Sequence, residues 1–151
     1  MPNDSPNSRF LPHVTVATII EQDGKYLMVE ENADNQTVLN QPAGHLEKNE
    51  TLPEAAIRET LEETGWQVEL TGVLSTSLYT SPSNGISYYR TTFIANALRD
   101  TQRTLDPAIV RALWLSTEEI KSHPSPPRSP LVLQDINKHQ RGVSFSLDLM
   151  G

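Results

Sequence analysis

The sequence contains no cysteine, few basic residues and no long apolar run. Without cysteine the chain cannot form a disulfide bond, a zinc–thiolate site or a thiol nucleophile. Twelve lysines and arginines stand against nineteen aspartates and glutamates, and the net charge of -7 argues against general nucleic-acid binding. The first residues lack a basic region followed by an apolar stretch, and no later run is long enough to span a bilayer. We therefore expect a cytoplasmic protein with no membrane partner.

Short apolar segments separated by turn signals predict a mixed α/β (α+β) fold. Segment 13–20 is β-branched and almost fully apolar, as in a strand buried on both faces, and a hairpin at Asp23 and Gly24 leads to a second strand over 25–30. The remaining predicted elements are strands over 67–77, 88–98 and 110–115, and helices starting after Thr51, after Ser116 and at about Leu131. We expect residues 1–10 to form a flexible tail and residues 11–151 to form one domain.

The helix after Thr51 has the clearest signals and is densely acidic. Thr51 and Glu54 form a capping box at its start, and Gly65 supplies the left-handed residue that ends it. At about 100° per residue, Ile57 and Leu61 share one side, which we expect to be the contact with the core. The opposite side carries Glu59, Glu62 and Glu63.

Two interpretations of these carboxylates remain open. They form either an ordinary solvated helix face or a site for a divalent cation. A solvated face usually interleaves the two signs of charge, whereas Arg58 is the only basic residue between Lys48 and Arg90. Mg²⁺ and Mn²⁺ prefer carboxylate oxygens and take substrate phosphates as further ligands, so a cation would offset the repulsion among the glutamates.

The spacing of residues 44–66 resembles the signature of the Nudix hydrolase family. That signature is a glycine, five residues, a glutamate, seven residues, Arg-Glu, an apolar residue, any residue, Glu-Glu, any residue, a glycine and an apolar residue. The matching positions here are Gly44, Glu50, Arg58, Glu59, Glu62, Glu63, Gly65 and Trp66. Thr60 departs from the pattern, because an aliphatic residue is usual there. The resemblance to bacterial Nudix phosphatases extends over residues 11–136.

The resemblance implies a fold, a reaction and a set of site residues. The fold is a mixed β-sheet sandwiched between helices. The reaction is Mg²⁺-dependent hydrolysis of phosphoanhydride bonds by a metal-activated water, releasing phosphate from nucleoside di- or triphosphates or thiamine-type pyrophosphates; Mn²⁺ is the alternative cation. The implied metal ligands are Glu59, Glu62, Glu63 and the backbone carbonyl of Ala43. Arg58 would orient the glutamates, and Glu50 would tighten the loop before the helix.

A further acid is expected near the end of the domain. Many family members carry one just before the last central strand, but that position is Ala108 here. Asp106 either replaces it as a ligand or general base, or is a turn residue ahead of Pro107. Glu62 is the other candidate for the base.

Residues outside the signature are candidates for contact with the substrate. Arg90 lies in the middle of a predicted strand, where it either grips a phosphate or faces solvent. Asn40 and Gln41 either read a base or pyrimidine, or cap a loop. By analogy alone, Arg128 closes over the pocket. We expect mainly structural roles for the aromatic and imidazole side chains of His13, His45, Tyr79, Tyr88 and Tyr89.

Two other functions are compatible with this resemblance. One is a pyrophosphohydrolase that cuts dinucleoside polyphosphates or the 5′ end of RNA, although the acidic charge weighs against RNA. The other is a non-catalytic Nudix-fold sensor of a nucleotide. Sensors tend to lose signature glutamates or to carry a DNA-binding domain, and this sequence shows neither feature. We therefore expect an enzyme whose partner is a small phosphate-bearing molecule, and the oligomeric state is not encoded in any recognisable pattern.

Overall fold

A computed structural model describes residues 8–151, which contain seven β-strands and three α-helices. The strands are β1 (His13–Gln22), β2 (Lys25–Ala33), β3 (Gln36–Asn40), β4 (Ala43–His45), β5 (Trp66–Thr80), β6 (Ser87–Asp100) and β7 (Ile109–Leu115). The helices are α1 (Leu52–Thr64), α2 (Thr117–Ser122) and α3 (Pro130–Gln140), and a 3-10 helix follows at Leu147–Met150. Of the tail predicted over 1–10, residues 1–7 lie outside the described residues. In the described part of the chain, no helix has the length and apolar character needed to cross a membrane.

The sheet is mixed, with strand order β3-β2-β1-β6-β5, while β4 pairs with β1 and β7 with β2. β1 and β6 run parallel along their whole contact, and the other pairs are antiparallel. The predicted hairpin joins β1 to β2, with Asp23 and Gly24 at φ values of 53° and 79°. Residues 15–20 of β1 are all buried, as expected for a strand covered on both faces.

Helices cover both faces of this sheet, which confirms the predicted fold class. Val16 of β1 packs in a buried cluster with Ala55 of α1. Ile19 packs in a different cluster with Val132 and Ile136 of α3. Side chains an odd number of residues apart on a strand point to opposite faces. The central strand therefore lies between α1 on one side and α3 on the other.

The face that α1 buries is not the predicted one. The prediction that Ile57 and Leu61 form the core contact is wrong, since Ile57 is 40% exposed and Leu61 is only partly buried. The buried residues of α1 are Ala55, Ala56, Thr60, Glu63 and Thr64. Short side chains allow the helix to approach the sheet closely, and this orientation turns the acidic face inward.

Thr60, the departure from the family pattern, links α1 to β1. Its Oγ1 donates to the carbonyl of Ala56 at 2.8 Å and lies 2.8 Å from Oγ1 of Thr18. Because the Thr60 proton is used within the helix, Thr18 is the donor of the second bond. Both hydroxyls are fully buried, so each depends on this arrangement.

We predict an asymmetric loss of stability at this pair. Thr60→Val removes the acceptor for the buried Thr18 hydroxyl and should lower the free energy of unfolding by about 1–3 kcal/mol. Thr18→Val leaves Thr60 bonded to Ala56 and should cost less, and the double variant should be close to wild type. Urea unfolding measures all three, and equal losses from the two single variants would contradict this assignment of the donors.

Candidate active site

The guanidinium of Arg58 holds three carboxylates of the signature together. Its Nε and Nη2 donate to the two oxygens of Glu50 at 3.0 and 2.7 Å. Its Nη1 donates to Glu59 at 2.7 Å and to Glu62 at 2.9 Å. The hydrogen bonds to Glu50 are the largest influence, and together with those to Glu59 they raise the pKa of Arg58 above its ordinary value. Arg58 is therefore charged at any physiological pH and offsets the repulsion within the cluster.

The same network fastens the loop that precedes α1. Glu50 also accepts from the backbone N–H of Glu47 at 2.8 Å, and Arg58 Nη2 donates to the carbonyl of His45 at 3.0 Å. The hydrogen bonds from Arg58 lower the pKa of Glu50, so this carboxylate is ionised. Arg58 and Glu50 thus connect the loop backbone to the carboxylates of α1, as residues that orient metal ligands would. That they orient the ligands remains a prediction.

Gly44 leaves the space that Glu59 occupies. A Cβ atom on residue 44 would overlap the carboxylate carbon and both carboxylate oxygens of Glu59. The glycine therefore permits the helix carboxylate to contact the backbone of β4 directly. Burial raises the pKa of Glu59, and the bond from Arg58 works against this rise.

Glu63 is the most buried of the signature glutamates. Its Oε1 accepts from the backbone N–H of Ala43 at 2.9 Å. The pKa of Glu63 is raised to about 9, chiefly by burial and also by the charges of Glu31, Glu59 and Asp106. A proton or a cation would offset the repulsion between an ionised Glu63 and these neighbouring carboxylates. That the Ala43 carbonyl is a metal ligand remains a prediction. The N–H of the same residue donates to Glu63, so Ala43 lies beside this carboxylate.

Asp106 joins the cluster, although it is distant in sequence. One oxygen each from Glu59, Glu62 and Asp106 lie within 4.8 Å of one another. The backbone N–H of Asp106 donates to the carbonyl of Glu62 at 3.1 Å, which ties the segment before β7 to α1. The carbonyl of Ala108 instead accepts from Asn32 at 2.9 Å in β2. Three convergent carboxylate oxygens, with Glu63 beside them, are a donor set that fits a hard divalent cation.

A cavity of about 620 Å³ opens beside these carboxylates. Glu59 and Glu63 line one part of it. Its other lining residues include Glu31, Asn40, His45, Tyr79, Tyr88, Arg90 and Arg128. The cavity therefore has an acidic end at α1 and carries two arginines elsewhere on its wall.

Arg90 lines this cavity and is buried, so the solvent-facing alternative is wrong. Its Nη2 donates to Gln41 Oε1 at 2.7 Å and to Asp135 Oδ2 at 3.4 Å. Its Nε has no hydrogen-bond partner among the described residues. Gln41 does not line the cavity and is 1% exposed. Its Nε2 donates to Asp135 Oδ2 at 3.2 Å. Gln41 is therefore placed as a support for Arg90.

Glu31 connects two other predicted substrate-binding residues. Its Oε1 accepts from Asn40 Nδ2 at 3.1 Å and from Arg128 Nη1 at 2.7 Å. Glu31 is buried, whereas about half of the Arg128 side chain is exposed. Sequence reasoning missed Glu31 and Asp135. The sequence signal that could have identified Glu31 is its position in the acidic pair that directly follows the apolar stretch of β2.

Rings of three residues meet at the edge of the cavity. His13 Nδ1 lies 3.1 Å from His45 Nε2, and Tyr88 packs edge-on against both rings at 5.7 and 6.2 Å between centroids. Burial lowers the pKa of His45, so its ring is neutral near pH 7. Tyr79 and Tyr88 line the cavity, but Tyr89 does not and is 48% exposed.

We predict that a divalent cation changes how stability depends on pH. The pKa of Glu63 is higher in the folded state (about 9) than its ordinary 4.5, so its stabilising proton is lost as pH rises toward 9. Between pH 7 and 9, the free energy of unfolding of the protein in EDTA should fall by up to about 1.4 kcal/mol per pH unit. Excess Mg²⁺ should reduce that slope, as measured by urea unfolding.

Glu63→Gln is the matched control for this pH series. It keeps the acceptor for the Ala43 N–H and removes the titrating group, so its slope in EDTA should be flatter than that of wild type. Equal slopes for wild type with and without Mg²⁺ would contradict a cation site at these carboxylates.

Comparison with known proteins identifies the family. The NUDIX domain family model matches residues 9–136. Phosphatase NudJ of Escherichia coli K12 is 39% identical over 144 residues, which cover 94% of this chain and 92% of that protein. The structure of a NUDIX hydrolase from Nitrosomonas europaea superposes with a TM-score of 0.89 at 43% identity, covering 93% and 97% of the two chains. A MutT NUDIX hydrolase from Burkholderia pseudomallei shares the fold, with a TM-score of 0.72 at 21% identity. The chain therefore belongs to the Nudix hydrolase family.

Proposed function

We propose that this Nudix hydrolase uses Mg²⁺ to cleave phosphoanhydride bonds in nucleoside di- or triphosphates or thiamine-type pyrophosphates, releasing phosphate. The observation that carries the proposal is the convergence of carboxylate oxygens from Glu59, Glu62 and Asp106 beside a cavity with two arginines. The similarity to a protein named Phosphatase NudJ supports release of phosphate. We propose a small-molecule substrate, a single domain over 11–151 and a cytoplasmic location.

The carboxylates have separable tasks in this proposal. Glu59, Glu62 and Glu63, with the Ala43 carbonyl, would hold the cation, for which Mn²⁺ is an alternative. When bound, Mg²⁺ supplies neutralisation of phosphoryl charge and acidification of the attacking water. Arg58 keeps Glu59 and Glu62 in place through its Nη1, so the ligands are ordered before the cation arrives.

The general base is Asp106 or Glu62. Their carboxylates lie in the same cluster as Glu59, so either can accept a proton from a water held there. Asp106 takes over the position left without an acid by Ala108. Its nearness to α1 supports this, since the backbone bond to the Glu62 carbonyl fixes the start of its segment.

The rest of the cavity suits the organic group and the remaining phosphate. Arg90 and Arg128 present guanidinium groups to it, and such groups recognise phosphate oxygens in pairs. Tyr79 and Tyr88 offer ring faces or edges to a planar heterocycle. Asn40 lies on the same wall, with its amide bonded to Glu31.

A panel of substrates tests the proposal. Inorganic phosphate, pyrophosphate and nucleotide products should each be measured with Mg²⁺ and with EDTA for thiamine pyrophosphate, ADP, ATP, a dinucleoside polyphosphate and 5′-triphosphorylated RNA. We expect Mg²⁺-dependent release of phosphate from one or more of thiamine pyrophosphate, ADP and ATP. The rate of release should fall by at least about a hundredfold in Glu63→Gln. Cleavage of the last two alone, to nucleotides or to pyrophosphate and 5′-monophosphorylated RNA, would favour the pyrophosphohydrolase alternative. Tight binding without release from any compound would favour a sensor.

We predict that Asp106 contributes to turnover. Asp106→Asn keeps the size of the side chain and removes its charge, so kcat should fall by about a hundredfold, as expected for loss of a base or ligand. The matched control is Asp23→Asn, a change in the exposed β1–β2 turn that should leave kcat unchanged. An unchanged kcat and an unchanged pH profile in Asp106→Asn would exclude both roles.

A further inference from the structure

A buried carboxylate on α3 lies behind the cavity and is not part of the metal cluster. Asp135 is 3% exposed and accepts hydrogen bonds from four side chains. Its Oδ2 accepts from Thr92 at 2.7 Å, Gln41 at 3.2 Å and Arg90 at 3.4 Å, while its Oδ1 accepts from Ser75 at 3.3 Å. Three of these donors lie on strands of the sheet. Asp135 thus links α3 to β5 through Ser75 and to β6 through Thr92 and Arg90.

The guanidinium of Arg90 is held on one side only. Gln41 and Asp135 both bind its Nη2, and no other nitrogen of the group donates a hydrogen bond within residues 8–151. Its Nε is buried without a partner. A buried N–H without an acceptor lowers the stability of the fold. Replacing a buried ion pair with apolar residues of similar size is often neutral or stabilising, so stability alone does not explain the Arg90–Asp135 pair. Nε is closed off from solvent, so Nη1 is the nitrogen that a ligand can reach: no residue within 8–151 accepts from it, and Arg90 lines the cavity.

The charges around Arg90 support the same interpretation. Burial lowers the pKa of Arg90, and the charge of Asp135 is the strongest influence in the opposite direction. Arg128 is close enough to lower it further, so two cationic groups meet on this wall. Each has a buried carboxylate as its partner, since Glu31 accepts from Arg128 as Asp135 accepts from Arg90. Each positive charge is thus matched by a carboxylate, so an anion would bind through the N–H groups left unpaired and not through excess charge.

We propose that Asp135 is a positioning residue: it fixes Arg90 so that the unpaired side of the guanidinium donates to a phosphate oxygen of the substrate. The inference rests on the proposed hydrolysis of diphosphates. Asp135 does not touch the substrate, and its effect passes through Arg90. The competing role, in which Asp135 only anchors α3, makes a different prediction when Arg90 is removed.

A double-mutant cycle separates the two roles. KM and kcat are measured with Mg²⁺ and the faster of ADP and thiamine pyrophosphate for wild type, Arg90→Gln, Asp135→Asn and the double variant. Arg90→Gln and Asp135→Asn should each raise KM by about tenfold or more, the loss expected for a hydrogen bond to a charged group, with kcat changed less than about threefold. In the Arg90→Gln background, Asp135→Asn should change KM by less than about twofold.

Ser75→Ala is the matched control. It removes a hydrogen bond to the same carboxylate, on the oxygen that Arg90 does not use, so KM should stay within about twofold of wild type. The proposal is overturned if Asp135→Asn raises KM equally in both backgrounds, or if it leaves KM unchanged in the folded enzyme.

Four further outcomes are also decisive. If Asp135→Asn fails to fold, the double variant is compared with Arg90→Gln. A folded double variant with the KM of Arg90→Gln supports the proposal, because the loss then came from the unpaired Arg90 charge, and an unfolded double variant overturns it. An active wild type with uncoupled variants overturns this inference alone. A wild type that releases no phosphate from any panel compound overturns the proposed function and this inference with it.

Discussion

The hydrogen bonds from Arg58 to Glu50, Glu59 and Glu62 are the interaction on which the site depends. Carboxylates of like charge repel one another, and the low dielectric of a partly buried site strengthens that repulsion. A guanidinium is planar and always charged, so it can bind several carboxylates at once without titrating. It binds Glu59 and Glu62 through Oε1 alone, and beside them the pKa of Glu63 is raised to about 9, chiefly by burial.

Close packing brings that network to the cavity. Alanines on α1 and a glycine in β4 remove the side chains that would separate the helix from the sheet, so Glu59 meets the backbone at Gly44. On the other face of the sheet, α3 supplies Asp135 to Arg90. The two layers of helices therefore serve different parts of one cavity: α1 provides the carboxylates, and α3 secures an arginine.

Short sequence patterns correctly predicted the structural features that depend only on neighbouring residues. The capping box of Thr51 and Glu54, the left-handed Gly65 and the β1–β2 hairpin all follow from nearby residues and are present. β4 was missed because three residues show no period, and the buried face of α1 was mistaken because apolar size predicted Ile57 at the core. The partners of Arg90 and Asp106 depend on contacts between distant segments, which no local pattern encodes. Family resemblance named Glu59, Glu62 and Glu63 as ligands, which stays a prediction, and the backbone bond to Glu62 helps to explain why Asp106 lies near them.

Direct measurement of cation binding tests whether these carboxylates form a metal site. Titration of Mn²⁺ by electron paramagnetic resonance, without substrate, reports binding independently of turnover. Wild type should bind Mn²⁺ at one or more sites, Glu59→Gln should weaken binding by at least about tenfold, and Glu69→Gln, which removes an equal charge from an exposed position of β5, should not. Equal Mn²⁺ affinity in all three proteins would contradict the account.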